Sequence, residues 1–426
     1  MKEEFLHFVW QTKQFNAAGL AIKDGTPLEV INPGIYNRDA GPDFFNAQIK
    51  TGDQLWIGNV EIHVNASDWT KHKHEDDPAY NNVILHVVFN DDAPVKTNSG
   101  LLMPTLELKD RINKKQYIRF LRLYSSKDEI PCVKKIAEVE KVLITSWISR
   151  LLVERLERKV NLLKMELEHA GNDWDELFYR HMVRQFGMKV NAEPFQWLAA
   201  AAPFRLMARQ NDNLLQTEAL LFGQAGLLPG KQEDVYSGAL IREYAHLKLK
   251  YEMQPMEAQS WKFMRLRPNN FPTVRIAQLA GLLYRRERLF TQCMQTKTIK
   301  KLHELLDVPA SGYWETHYRF GKSSGRKPKR LGSQTIDSIL INTIVPFKFL
   351  YGKHKSDQQL CSDALSLLDA IAAEDNRVIR TWKNLQIIPG NAGESQALVE
   401  LTTNYCEKRK CLDCAIGCSL ISRAAG

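Results

Sequence analysis

Two carboxylates and an imidazole stand at a spacing that could carry out hydrolysis. Asp43 opens a run in which Phe45, Ala47 and Ile49 alternate with Asn46, Gln48 and Lys50. Glu61 and His63 lie in a second run, Trp56 to Val64, rich in β-branched and aromatic residues. Thr51-Gly52-Asp53-Gln54 between them reads as a hairpin turn. A turn centred on Gly52-Asp53 puts Asp43 opposite about residue 62, with Glu61 and His63 on one strand face. Two acids this close repel unless a proton or a cation lies between them. Mg²⁺ takes one or two carboxylates plus water and phosphate oxygens. Such an ion can polarise a phosphodiester and activate water. Asp43, Glu61 and His63 are therefore the candidate catalytic residues, with Mg²⁺ or Mn²⁺ on Asp43 and Glu61.

Four of the eleven histidines, His63, His72, His74 and His86, fall within 24 residues. With Asp43 and Glu61, His72 and His74 could build a transition-metal site. Acid–base use of one imidazole is an equal alternative. The ordinary reading is exposed loop histidines beside a satisfied core residue at His86. Asp68, Asp76, Asp77 and Tyr80 in the same segment could support a site.

Cys406, Cys411, Cys414 and Cys418 give C-x4-C-x2-C-x3-C within thirteen residues. Clustering of this kind points to a metal more than to disulfides. The first three match the plant-type ferredoxin spacing, which takes its fourth cysteine from a distance. Structural zinc sites use two C-x2-C pairs held apart, and only one occurs here. An Fe–S cluster or a zinc ion is expected, with Cys132 as an outside ligand if Cys418 is not one. Lys408, Arg409 and Lys410 would favour thiolate. The plainer alternative is a helical tail with small buried cysteines.

The elements that must position these groups follow from periodicity. Residues 2–14 carry an apolar stripe at Phe5, Phe8 and Val9, as a short helix does. Strands are expected at 27–33, 82–90 and 103–108, besides the two of the hairpin. Residues 66–81 are polar and irregular, with one helical turn capped by Ser67, and a basic amphipathic helix covers 110–124. After Pro131-Cys132 the pattern becomes helical, over 133–170 and then 174–186, 194–209, 213–227, 236–252, 273–294 and 360–374. GKSSGRKPKR (321–330) reads as an exposed mobile loop. The expected organisation is an α+β domain over 1–130 with a mixed β-sheet, a mostly α-helical domain over 131–400, and a Cys-rich motif over 401–426.

Charge bears on partners. Net charge is +9, yet residues 1–130 hold 15 basic and 18 acidic side chains, a net of −3, which leaves +12 for the rest. A basic helical part fits a polyanion such as DNA or RNA. Arg265, Arg267, Arg275, Lys327, Lys329 and Arg330 are the candidate nucleic-acid contacts. Arg285, Arg286 and Arg288 flank them, and Phe271, Tyr313, Trp314 and Tyr318 are available to stack on bases. A solvated helix face and a capped turn would look the same. GLLPGKQ (226–232) lacks the spacing and the Ser/Thr of a P-loop. The N-terminus has no signal-peptide pattern, and no run approaches about 18 apolar residues. A cytoplasmic location is expected, with no membrane partner, and oligomeric state is not readable.

Pro42-Asp43, followed eighteen residues later by Glu61-Ile62-His63 after a helix and a strand, resembles the PD-(D/E)XK nuclease core. The resemblance implies a restriction-endonuclease-like fold, metal ligands at Asp43 and Glu61, and an accessory acid at Glu3 or Glu4. It also implies a lysine two residues after the Glu, where this chain has His63. Either Lys50, Lys71 or Lys73 takes that role, or His63 plays a different part, or the site is inactive. Fe–S clusters accompany some nucleases of that superfamily, although the cysteine spacing here differs. Over nearly the full length, GPDFFNAQI (41–49), GNVEIHVNASDW (58–69), AYNNVILHVV (79–88), LRPNNFPTVRIAQLA (266–280) and YCEKRKCLDC (405–414) are similar to an uncharacterised bacterial family known as a domain of unknown function, which implies no activity. Three functions remain: a metal-dependent nuclease on DNA or RNA, a non-catalytic nucleic-acid or protein-binding scaffold with a degenerate nuclease fold, and an Fe–S redox or sensor protein.

Overall fold

The computed structural model describes residues 1–210 and 213–423. It divides into two compact units, one formed by Met1–Ile148 with Glu400–Gly426, the other by Ser149–Val399. The first boundary thus falls eighteen residues beyond the position expected from composition, and the C-terminal cysteine segment returns to the first unit.

The first unit is built on a mixed sheet. Its strands are β1 (Leu28–Asn32), β2 (Ile35–Tyr36), β3 (Phe44–Thr51), β4 (Gln54–Asn65), β5 (Val83–Asn90) and β6 (Thr105–Glu107). The order is β1-β3-β4-β5-β6, with β2 also paired to β3. β1, β3 and β4 run antiparallel, whereas β4, β5 and β6 are parallel. The β3–β4 turn falls on Gly52-Asp53, and Gly52 takes φ +58, which glycine adopts without strain. The parallel β4–β5 pair needs a crossover, and residues 66–82 supply it. It contains α2 (Asp68–Lys71), the single helical turn expected. Ser67 does not cap that turn: its hydroxyl donates to Asp92, and Asp68 instead receives the Asn65 amide.

α1 (Glu3–Gln11) buries Phe5 to Trp10 and packs on β4. Phe5 stacks on Phe120 of α3 (Lys114–Tyr124) with ring centroids 5.3 Å apart. Asn113 caps α3 by accepting from the Lys115 amide. Val60, Ile62, Leu85 and Val87 complete this core on the sheet face toward α1.

The remainder is mostly helical. The first long helix, α4, covers Lys141–His169; Ile136 lies in a separate short 3₁₀ turn, so the apolar period at 133–140 belongs to a turn and not to the helix. Two other expected helices are broken. Residues 194–209 divide into Ala192–Ala201 and Phe204–Arg209 at Pro203, and residues 273–294 divide into Pro272–Arg285 and Leu289–Gln295, with Arg288 left-handed between them. The second unit closes around a core that includes Phe178, Phe186, Phe222, Trp314 and Phe347. No described helix is long and apolar enough to cross a membrane.

Candidate metal centre

The hairpin brings Asp43 and Glu61 together. The Asp43 amide donates to Glu61 Oε2 at 3.1 Å, and Asp43 Oδ2 accepts from the Ile62 amide at 2.9 Å. A bulge in β3, at Asn46 with φ +56, separates the Phe44↔Val60 and Ala47↔Gly58 pairings and turns the strand start inward. α1 adds a group that no sequence signal picks out: His7 Nε2 lies 3.2 Å from Asp43 Oδ2, and His7 Nδ1 lies 3.2 Å from the Tyr36 hydroxyl. Burial lowers the basicity of His7, but the bond to Asp43 and its charge outweigh this, so the imidazole pKa rises. Glu3 feels both groups. Desolvation and Asp43 raise its carboxyl pKa, while His7 and His72 oppose them. The accessory-acid position on the first helix is therefore electrostatically part of the site.

Glu61 faces the histidines. Its Oε1 lies 3.5 Å from His63 Nε2 and 3.3 Å from His74 Nε2. Burial is the main cause of its raised carboxyl pKa, with Asp43 adding to it and His74 opposing. β5 places His86 beside Glu61 in register, and His86 Nε2 lies 2.8 Å from His63 Nδ1. His72 and His74 come from the crossover. Ligand atoms of His63, His72 and His74 all lie within 4.8 Å of one another, with His63 and His74 buried and His72 exposed.

One arrangement of the ring protons gathers lone pairs here. If His63 Nδ1–H donates to His86, Nε2 carries the lone pair and faces His72 Nδ1 at 3.2 Å. His74 Nε2 is buried with no hydrogen-bond partner of good geometry despite its closeness to Glu61. Lone pairs gathered in this way suit a shared cation, and a neighbour that receives the other ring N–H is the usual support of a metal-binding histidine. Burial and the surrounding imidazoles hold His63 down to about 2, and burial holds His86 down to about 3, so both stay neutral, as a ligand must. Imidazole donors suit Zn²⁺ and other late first-row metals, whereas Mg²⁺ and Mn²⁺ prefer oxygen ligands.

The lysine alternatives do not converge here. Lys50 pairs with Leu55 near the hairpin tip, and Lys71 reaches Asp68 at 3.4 Å. Lys73 serves the turn, with left-handed φ of +61. Tyr80 stacks on His74 at 3.8 Å between centroids, a contact that becomes readable only once the crossover is folded.

A cleft of about 620 Å³ lies beside His7, which lines it while Asp43, Glu61 and the histidine trio do not. Glu4, His7, Tyr36 and Arg38 line one side, and Lys408, Arg409 and Lys410 of the C-terminal segment line the other. Arg38 pairs with Asp413 at 2.9 Å across it.

The basic residues of the second unit divide into two sets. Arg265, Arg267 and Lys327 are exposed. Arg275 is buried and donates to Asn270, Gln278 and Thr335; Lys329 is buried and donates to the Glu315 carbonyl; Arg330 is bonded to Asp307. Lys329 and Arg330 thus anchor the end of segment 321–330, whose other residues are mostly exposed, as expected. Arg286 donates to the carbonyls of Glu304 and Leu305, and Trp314 is fully buried in the core. Arg275, Lys329 and Trp314 are thus buried in the second unit, whereas Arg330 remains exposed.

The cysteines form no disulfide. Cys406, Cys411 and Cys414 are buried, and Cys418 is half-buried with its thiol donating to the Leu412 carbonyl at 2.9 Å. Neither a curated protein nor a solved structure matches this chain. The profile of the family described as "Protein of unknown function (DUF2851)" matches residues 3–377, and the chain belongs to that family.

Proposed function

We propose that the first unit is a metal-dependent phosphodiesterase acting on DNA or RNA, with the ion held by His63, His72 and His74 beside Glu61. The observation that carries this reading is the convergence of three imidazole ligand atoms within 4.8 Å next to a paired Asp and Glu. A bound divalent ion supplies Lewis acidity toward a phosphoryl oxygen and a more acidic water.

The chain's own residues do the rest. Asp43 and His7 form an acid–base pair at 3.2 Å on the cleft side. Glu61 orients His74 and balances the charge of the ion. Arg38, Lys408 and Lys410 attract the phosphate backbone, a term that weakens steeply with salt. His63 stands where a nuclease of the resembling kind has lysine. With Nδ1 bonded to His86, it serves as a ligand through Nε2 and leaves proton transfer to His7 and Asp43.

The test is cleavage of labelled single- and double-stranded DNA and RNA with Mg²⁺, Mn²⁺ or Zn²⁺, wild type beside Glu61→Ala, with folding followed by circular dichroism. Cleavage by the wild type alone is expected. Absence of cleavage with every metal, while salt-sensitive binding persists, would instead make the protein a non-catalytic scaffold.

A further inference from the structure

Five cysteines belong to the first unit, Cys132 from the segment before α4 and four from the C-terminal segment. The chain returns after some 270 residues to bring them together, and a specific contact holds the return. Arg409 donates through Nη1 to the Cys406 carbonyl at 2.7 Å and through Nη2 to the Asp128 carbonyl at 3.0 Å. The loop from Cys406 to Cys411 is thereby fixed against the turn that carries Cys132. The Cys411–Cys414 loop is held as closely: a Cβ at Gly417 would meet the Cys411 carbonyl oxygen at 2.1 Å, so glycine is required there.

We propose that Cys132, Cys406, Cys411 and Cys414 together ligate an iron–sulfur cluster, and that Cys418 lies outside the ligand set. All four are buried to 8% exposure or less and none is in a disulfide. Electrostatic coupling joins every pair among them: Cys132 with Cys411 and Cys414, Cys406 with Cys132, Cys411 and Cys414, and Cys411 with Cys414. Cys418 is half-buried, and its sulfur is directed at the Leu412 carbonyl at 2.9 Å.

Spacing separates a cluster from a single zinc ion. Tetrahedral zinc with Zn–S near 2.3 Å puts its thiolates about 3.8 Å apart. Among the described residues no three cysteine sulfurs gather within 4.8 Å, although three histidines do. A cluster of several irons accepts thiolates set farther apart than a single zinc ion does, with each cysteine on its own corner. Arg409 supplies a cation beside the thiolates. The same loop carries Lys408 and Lys410 on the wall of the cleft, so the cluster would fix that wall in place.

The experiment uses the full chain, purified without oxygen and reconstituted with ferrous iron and sulfide. Iron, acid-labile sulfide, zinc and visible absorption are measured for the wild type, Cys132→Ser and Cys418→Ser. Iron and sulfide are expected in the wild type and in Cys418→Ser at equal content, with both lost from Cys132→Ser. A wild type that binds zinc or no metal, or a cluster lost from Cys418→Ser but kept by Cys132→Ser, overturns the assignment. Should Cys132→Ser fail to fold, X-ray absorption at the iron edge of the wild type decides: a shell of sulfur alone is expected, and nitrogen or oxygen in that shell overturns it.

Discussion

Asp43 and Glu61 are locked to each other through main-chain bonds: the Asp43 amide donates to the Glu61 carboxylate at 3.1 Å, and the Asp43 carboxylate accepts the amide next to Glu61 at 2.9 Å. Each acid thereby fixes the position of the other before any ligand arrives. The arrangement separates holding from chemistry. Asp43→Asn keeps an oxygen for the Ile62 amide and removes only the charge that faces His7. We expect its melting temperature to change by no more than a few degrees and its single-turnover cleavage to fall at least about a hundredfold. Undiminished cleavage would remove Asp43 and His7 from the proposed acid–base role.

His72 offers the cleanest test of the metal. It is the exposed member of the histidine trio, so His72→Ala creates no core cavity. A ligand that binds only the folded chain stabilises it by about 2.7 kcal/mol at a hundred times its dissociation constant. Zn²⁺ should raise the melting temperature of the wild type, chelation should reverse the rise, and His72→Ala should need at least about tenfold more metal for the same shift. Identical titrations of the two proteins by thermal melting would place the ion elsewhere.

The hairpin was legible because its information is local. Gly52-Asp53 sets the turn, and the alternation from Phe45 to Lys50 sets the register. From these, Asp43 can be placed opposite residue 62 without knowledge of the rest. His7 was not legible, because nothing in its own helix says which strand that helix will cover. The histidine trio was half legible: the crossover between β4 and β5 decides that His72 and His74 fold back over Glu61, and its sequence is polar and irregular. Cys132 and the C-terminal cysteines are some 270 residues apart, so their meeting depends on the whole intervening chain. Arg275 shows the opposite failure. Its sequence neighbourhood is that of a phosphate-binding arginine, yet a helix start buries it among amide and hydroxyl oxygens.

That placement makes a prediction about the second unit. Arg275→Leu leaves Asn270, Gln278 and Thr335 without their shared donor in a buried site, at a cost of about 3 kcal/mol. Burial alone already lowers the guanidinium pKa to about 10, a sign of how little solvent reaches it. Lys327→Ala removes an exposed charge and should leave stability within about 0.5 kcal/mol. Urea melts of the two variants check this directly. If Arg275→Leu melts like the wild type, the polar network around it is not structural.

Glu218 should give the second unit a pH-dependent stability. It is 1% exposed, and burial raises its carboxyl pKa to about 7, with Ser311 and Tyr236 opposing part of the rise. The folded chain therefore holds this proton at pH values where the unfolded chain has released it. The contribution is fully present below the ordinary carboxylate value of 4.5 and is lost as pH rises through about 7. Glu218→Gln cannot ionise and should escape that loss. Between about pH 5 and pH 8, its stability relative to the wild type should increase by an amount on the order of 3 kcal/mol. Thermal melts of both proteins across that range measure the difference. A stability gap that stays constant with pH would mean that Glu218 does not change its protonation on unfolding.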